Sequence, residues 1–210
     1  MNSQEVLWVF SMSFRKEKKY RLTKSDLILF KEKLQVLGMQ KLYNKRLINS
    51  HYFDTDDMAM YRDSEEGVLP RKKVRVRWYG NAPNFTKEIK ISSLEGRYKT
   101  SDSLDSLGSE EEVLQMRFLD SFYGALRPSL KVSYDRSYYN LGGLRITFDT
   151  NIYYHNTRLN FFIKKIDPDC VAEVKVPIDC DDDYIEKIIL HRTSRFSKYS
   201  RGLLIFDSML

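Results

Sequence analysis

Two cysteines in 210 residues, Cys170 and Cys180, are too few for a disulfide framework, and no zinc-type pairing is present. Both read as structural thiols, which fits a reducing compartment. Histidine is nearly as scarce. His51, His155 and His191 are scattered and form no His-centred catalytic constellation. Long apolar runs are missing too: the stretch at residues 6–10 follows no basic segment and falls well short of the roughly 18 residues a membrane span needs. A cytoplasmic location is the expectation. No Gly-rich phosphate loop occurs, and no Ser or Cys sits in a nucleophile arrangement. Linkers rich in Pro or in Gly and Ser are absent, as are repeats of fixed period, so one domain over residues 1–210 is expected.

What is present is aromatic and basic. Fourteen Tyr bring the aromatic share to 13%, which leans towards β-structure. The net charge of +6 is unevenly spread: residues 1–100 carry 21 Lys and Arg against 12 Asp and Glu, whereas residues 101–210 carry 14 against 17. A basic first half speaks of an anionic partner, and nucleic acid, acidic lipid, nucleotide and polyphosphate all satisfy it.

Helical periodicity marks residues 25–37, where Leu27, Ile28, Phe30, Leu34 and Leu37 form a stripe that Gly38 ends. A second helix is expected at 110–123, opening on three glutamates, and a third at 183–190. Strands are expected at 14–22, 47–53, 73–79, 86–91, 130–139, 144–154 and 171–176, with an eighth around 197–206. Gly142-Gly143 reads as a tight hairpin turn, and 101–109 as a surface loop. The expected fold class is α+β: an antiparallel β-barrel of about eight strands with flanking helices.

The alternation within these strands is distinctive. Side chains alternate faces along a strand, so Lys73, Arg75, Arg77 and Tyr79 share one face and Val74, Val76 and Trp78 the other. Glu88 and Lys90 oppose Ile89 and Ile91; Arg145 and Thr147 oppose Leu144, Ile146 and Phe148; Glu173 and Lys175 oppose Ala172, Val174 and Val176. Arg15, Glu17, Lys19 and Arg21 continue the pattern. A charged strand face ordinarily meets solvent. Five such strands instead suggest an inward lining, and an enclosed ring of cations calls for an anion of high charge such as a triphosphate. The tyrosines of 134–139 and 152–154 read as packing residues, with stacking on a nucleotide base as the second reading.

In order along the chain stand Arg15-Lys-Glu17-Lys-Lys19-Tyr20, His51-Tyr-Phe-Asp54-Thr55, Arg71-Lys-Lys-Val-Arg75-Val-Arg77-Trp-Tyr-Gly80, Glu88-Ile-Lys90 and Lys99-Thr100. Tyr134-Asp-Arg136, Arg145-Ile-Thr-Phe-Asp149, Glu173-Val-Lys175 and Phe196-Ser-Lys198-Tyr199 follow. Over residues 14–205 this series resembles the triphosphate tunnel superfamily, and within it the catalytic domain of the vacuolar transporter chaperone (VTC) polyphosphate polymerase and its bacterial relatives. The resemblance implies that Lys19, Arg75, Arg77, Lys90, Lys99, Arg136, Arg145 and Lys198 contact phosphates. It implies that Glu173, assisted by Glu17, holds Mn²⁺ or Mg²⁺, and that ATP and polyphosphate are the ligands. Arg15 stands where the wider superfamily often has the first Glu of a Glu-x-Glu-x-Lys pattern, which favours the polymerase branch over a triphosphatase or a cyclase. A tripolyphosphatase or nucleoside triphosphatase, and a non-catalytic polyphosphate-binding module, are the alternatives. Nucleic acid ranks low, because the basic residues alternate within strands rather than forming an exposed stripe. The sensing domain and membrane helices of the eukaryotic polymerases are not read in this sequence, so membrane translocation and that regulation are not inferred, and a possible membrane-protein partner is not inferable from this chain.

Overall fold

A computed structural model describes residues 15–82, 84–159, 162–177 and 182–207. Among them the chain forms β1 (Arg15–Leu22), α1 (Lys24–Val36), β2 (Gln40–Asp54), α2 (Ala59–Glu66), β3 (Arg71–Tyr79), β4 (Thr86–Ser92) and β5 (Arg97–Ser103). There follow α3 (Glu110–Gln115), β6 (Phe118–Asp120), β7 (Gly124–Leu141), β8 (Leu144–Asn156), β9 (Lys164–Ile166), β10 (Cys170–Pro177), α4 (Asp182–Ile188) and α5 (Lys198–Asp207). The main sheet runs β1-β10-β8-β7-β2-β3-β4-β5 with every pairing antiparallel, and among the described residues no ladder joins β5 back to β1. It is a curled half-barrel, in keeping with the expected fold class.

Contacts of one short segment show which way the sheet curls. β1 and β3 lie five places apart in the sheet, about 24 Å if it were flat. Yet Lys19 of β1 donates to the Phe196 carbonyl at 3.3 Å, and Lys73 of β3 donates to the hydroxyl of the next residue, Ser197, at 2.9 Å. The face carrying Lys19 and Lys73 is therefore the concave one.

Three apolar clusters hold this shape. On the convex side of β1, β10 and β8, Tyr20, Ile146, Phe148, Ala172, Val174 and Val176 pack under α1 and α4 through Leu27, Leu34 and Ile185. Under α2 and α3, Val74, Val76 and Trp78 meet Met60 and Val113. The third cluster lies inside the curl, where Leu203 and Phe206 of α5 press on Leu130, Val132, Tyr154 and Val171. Burying side chains of this size contributes about 1.5–3 kcal/mol each, so both faces of the sheet are committed.

Local signals explain the better-read elements. Thr23 and Asp26 form a reciprocal capping box at the start of α1. Gly142 and Gly143 take φ of +52° and +83°, so the β7–β8 connection is the two-residue hairpin that glycine permits. Asp54 caps α2, accepting from the amides of Met60 at 2.9 Å and Tyr61 at 3.0 Å.

Two expectations require correction. The second helix spans only Glu110–Gln115, because Phe118–Asp120 turns back to pair with β7 instead. The expected eighth strand at 197–206 is the helix α5: Tyr199, Leu203 and Phe206 recur at helical spacing and fill the curl. Gly202 lets that helix approach the sheet, since a Cβ there would stand 2.5 Å from the Tyr154 ring and 2.6 Å from Leu130. The strands β5, β6 and β9 and the helix α2 were not expected, and residues 101–103 of the expected surface loop 101–109 belong to β5. Cys170 is buried and unbonded, while Cys180 and the apolar stretch at 6–10 lie outside the described residues. No described helix is long and apolar enough to cross a membrane.

Candidate active site

Directly paired residues of neighbouring strands project to the same face. Lys73 pairs with Lys90 and Lys90 with Lys99; Arg75 pairs with Glu88 and with Tyr52; Arg77 pairs with Ser50. Across β7 and β8, Ile48 leads to Tyr134 and Arg136 to Asp149; Thr147 pairs with Glu173 and Arg145 with Lys175. β1 closes the series, with Lys19 opposite Glu173 and Glu17 opposite Lys175. All nine strand-borne candidates, Glu17, Lys19, Arg75, Arg77, Lys90, Lys99, Arg136, Arg145 and Glu173, thus line one concave trough. Lys198, at the start of α5, joins them by placing its ammonium 2.5 Å from Asp149.

Carboxylates are embedded among these cations and hold them in place. Arg75 donates to Glu88 at 2.7 Å and to the Tyr52 hydroxyl at 2.9 Å, Lys99 reaches the other Glu88 oxygen at 2.7 Å, and Arg77 lies 3.7 Å away. Arg77 also donates to Ser50 and Tyr134. Arg136 grips the fully buried Asp149 bidentately at 2.6 and 2.7 Å and stands 3.9 Å from Glu173. Lys175 bridges Glu173 at 3.0 Å and Glu17 at 3.7 Å, and Lys19 holds Glu17 at 2.9 Å. Arg145 and Lys90 make no hydrogen bond or ion pair among the described residues, and both are solvent-accessible.

With Lys73 and Lys175 added to the eight candidates, ten cations face four carboxylates. The imbalance is written into the acid–base behaviour of the trough. Burial would raise the carboxyl of Glu173, but Arg136, Lys175 and Lys19 outweigh it and hold the group well below the usual range. Glu88 is held down the same way, chiefly by Arg75 and Arg77 against its burial. Lys90 responds in the opposite direction: although its side chain reaches solvent, Arg75 first, then the enclosing trough walls and Arg77, push its ammonium down to about 6. Lys73, mostly through burial, is pushed down to about 8. A site that suppresses its own lysine charges is organised for an anion.

The carboxylates fit a hard divalent cation of a particular kind. Among the described residues no three His, Cys, Asp or Glu side chains converge as a metal cage. Glu17 and Glu173 lie diagonally across the β1–β10 ladder, close enough for Glu173 to work against ionisation of Glu17. Two carboxylates suit the mode in which phosphate oxygens and water complete the coordination shell.

Sequence reasoning missed several members of this site. Asp149 and Glu88 stood inside quoted motifs without a role, and Lys73 and Lys175 were placed on the charged face but not among the phosphate contacts. The alternation was the signal that could have found both lysines. Tyr52, Ser50 and Tyr134 gave no such signal, since their part is set by the register of β2 and β7. His51, which belongs to no catalytic constellation in the sequence, is buried, stacked on Trp78 and 2.8 Å from Glu110 on the convex side.

An antiparallel half-barrel whose concave face carries a cation-rich lining with interspersed carboxylates is the triphosphate tunnel, or CYTH-like, fold. Solved structures share that architecture. An adenylate cyclase candidate from Bacillus halodurans aligns with TM-score 0.55 at 17% identity, covering 88% of this chain and 95% of its own. HpAC1 from Hippeastrum, reported with a dominant triphosphatase activity, aligns with TM-score 0.53 at 15% identity over 90% and 94%. PH1819 from Pyrococcus horikoshii OT3 aligns with TM-score 0.52 at 14% identity over 90% and 98%. At these identities the likeness concerns the fold. The family model of the VTC domain matches residues 14–206, and the chain belongs to that family. No curated protein matches it.

Proposed function

We propose that the trough is the active site of a metal-dependent polyphosphate polymerase, which transfers the terminal phosphoryl group of ATP to a growing polyphosphate chain. The observation that carries this reading is the excess of ten cations over four carboxylates on one recessed face, in a chain of the VTC domain family. Phosphoryl transfer asks for charge neutralisation and in-line positioning more than for covalent chemistry. Arg75, Arg77 and Arg136 offer guanidinium forks for bidentate grip, and Lys19, Lys90, Lys99 and Lys198 offer point charges. Arg145, which makes no ion pair among the described residues, would meet the incoming chain. A terminal oxygen of that chain attacks the γ-phosphorus, the bond from it to the β,γ-bridging oxygen breaks, and ADP departs with the electron pair. The attacking oxygen is already ionised near neutral pH, so no general base is required. When bound, Mn²⁺ or Mg²⁺ on Glu173 and Glu17 would neutralise charge on the phosphate oxygens. Asp149 keeps Arg136 and Lys198 extended into the trough.

A second reading is favoured by the triphosphatase activity reported for HpAC1, a structural neighbour: water rather than a phosphate chain would be the acceptor. Incubation of the pure protein with ATP and Mn²⁺, with long polyphosphate separated from orthophosphate, tests the proposal. Long chains with ADP are expected. Orthophosphate alone would replace the polymerase by a hydrolase, and tight binding without turnover would leave a binding module.

A further inference from the structure

The phosphate-facing strands end in aromatic residues at one mouth of the trough. β3 presents Arg75, Arg77 and then Tyr79 on the concave face, and β7 presents Tyr134, Arg136 and then Tyr138. Each step from arginine to tyrosine covers two residues, about 7 Å along the strand. Between them β2 supplies Tyr43, which pairs with Tyr138, and Arg46, which pairs with Arg136. Register shifts on either side of Tyr43 bring it and Arg46 over the same neighbour. The two tyrosine rings meet edge to face at 5.8 Å, and the Arg46 guanidinium lies 5.8 Å from each ring centroid. Tyr138 is buried beneath this pair, whereas Tyr43 is 53% and Tyr79 42% exposed. The surface along residues 41–46 is open to solvent.

Packing does not account for two large, outward rings backed by a third and capped by a guanidinium at the edge of a phosphate-binding trough. We infer that this mouth is a nucleobase subsite, in which Tyr43, with Arg46, stacks on the base of a nucleoside triphosphate whose phosphates run inward past Arg136 and Arg77. The inference rests on the functional reading above and extends it from the phosphates to the nucleoside. Stacking on an aromatic face accepts any base and draws on Arg for cation–π attraction. The tripolyphosphate ion, which has no base, would miss the subsite entirely.

That difference supplies the test: calorimetric affinities of ATP and of tripolyphosphate for the wild type, Tyr43→Ala and Tyr43→Phe, under identical salt and Mn²⁺. ATP affinity is expected to fall at least about fivefold in Tyr43→Ala, the low end of base–aromatic stacking, and to be restored in Tyr43→Phe. Tripolyphosphate should bind all three proteins alike, which also reports that the variants are folded. Unchanged ATP affinity in Tyr43→Ala, or an equal loss for both ligands, overturns the subsite and leaves the phosphate trough standing. Failure of the wild type to bind tripolyphosphate overturns the functional reading, and the subsite with it.

Discussion

Replacing Lys90 by Met removes the one lysine of the trough whose charge is suppressed mainly by its neighbours. Arg75, burial and Arg77 bring its pKa from 10.5 down to about 6. Lys73 falls from 10.5 to about 8. At pH 7.5 these values leave Lys90 with about 0.03 of a proton and Lys73 with about 0.8. A bound polyphosphate supplies the opposite charge beside both lysines and returns them towards 10.5, so binding draws in about 1.2 protons, about four-fifths of them at Lys90. In Lys90→Met only about 0.2 remains. Calorimetric titration with tripolyphosphate in two buffers of different ionisation enthalpy reads the proton count directly, and the ligand's own proton exchange cancels between the two proteins. At pH 5 Lys90 is already about nine-tenths charged, so the two proteins should converge there. The same shift fixes a stability trend. The unfolded chain holds the extra proton between pH 6 and 10.5, so this lysine's penalty on folding is full below pH 6 and is lifted as pH rises through that window. Equal proton uptake by the wild type and Lys90→Met at pH 7.5 would mean that Lys90 does not face the bound phosphates.

Glu173→Gln should keep the fold and nucleotide binding but lose metal-dependent turnover, since the amide is nearly isosteric yet a far poorer ligand; unchanged activity across a range of Mn²⁺ concentrations would remove Glu173 from the mechanism. Asp149→Asn takes the charge from a fully buried carboxylate that serves both Arg136 and Lys198. Breaking such a network costs about 3–5 kcal/mol. At 2–4 °C per kcal/mol, melting should fall by about 6–20 °C, and tripolyphosphate should restore part of it. Arg75→Ala should lower the ligand-free melting temperature rather than relieve repulsion, because Arg75 is buried on Glu88 and Tyr52. The variant should also show a smaller tripolyphosphate-induced rise than the wild type, whose own rise should shrink in high salt; melting curves with and without ligand check all three.

Much of the trough was legible because charge and apolarity alternate with period two in β1, β3, β4, β8 and β10, a pattern that survives whichever strand pairs with which. The sequence left open whether those charges face inward. That depends on α5, whose ten residues contain Gly202 and Ile205 and read as a strand until the sheet is seen to wrap around them. A short apolar segment is ambiguous in period, and here the tertiary environment decides: Tyr199, Leu203 and Phe206 gain burial only as a helix. Lys198 was identified through its motif, but its position at a helix start beside Asp149 was not. β5 escaped notice because its residues are polar and exposed, with Lys99 recognisable only by its register against Lys90. The second helix was read too long because Glu110–Gln115 runs straight into apolar residues, and the pairing of Phe118–Asp120 with β7 leaves no local mark. The carboxylate clamps were hidden for a different reason. Glu88 and Asp149 sit far in sequence from some of the cations they hold, and only the fold brings them together.

A crystal structure of the protein with tripolyphosphate and Mn²⁺ would locate both ligands. Phosphates are expected inside the curl, within hydrogen-bond reach of Arg75, Arg77, Arg136 and Lys198, with the metal on Glu173. Phosphate bound only on the convex face or at the outer loops, with the trough left to water, would contradict that placement.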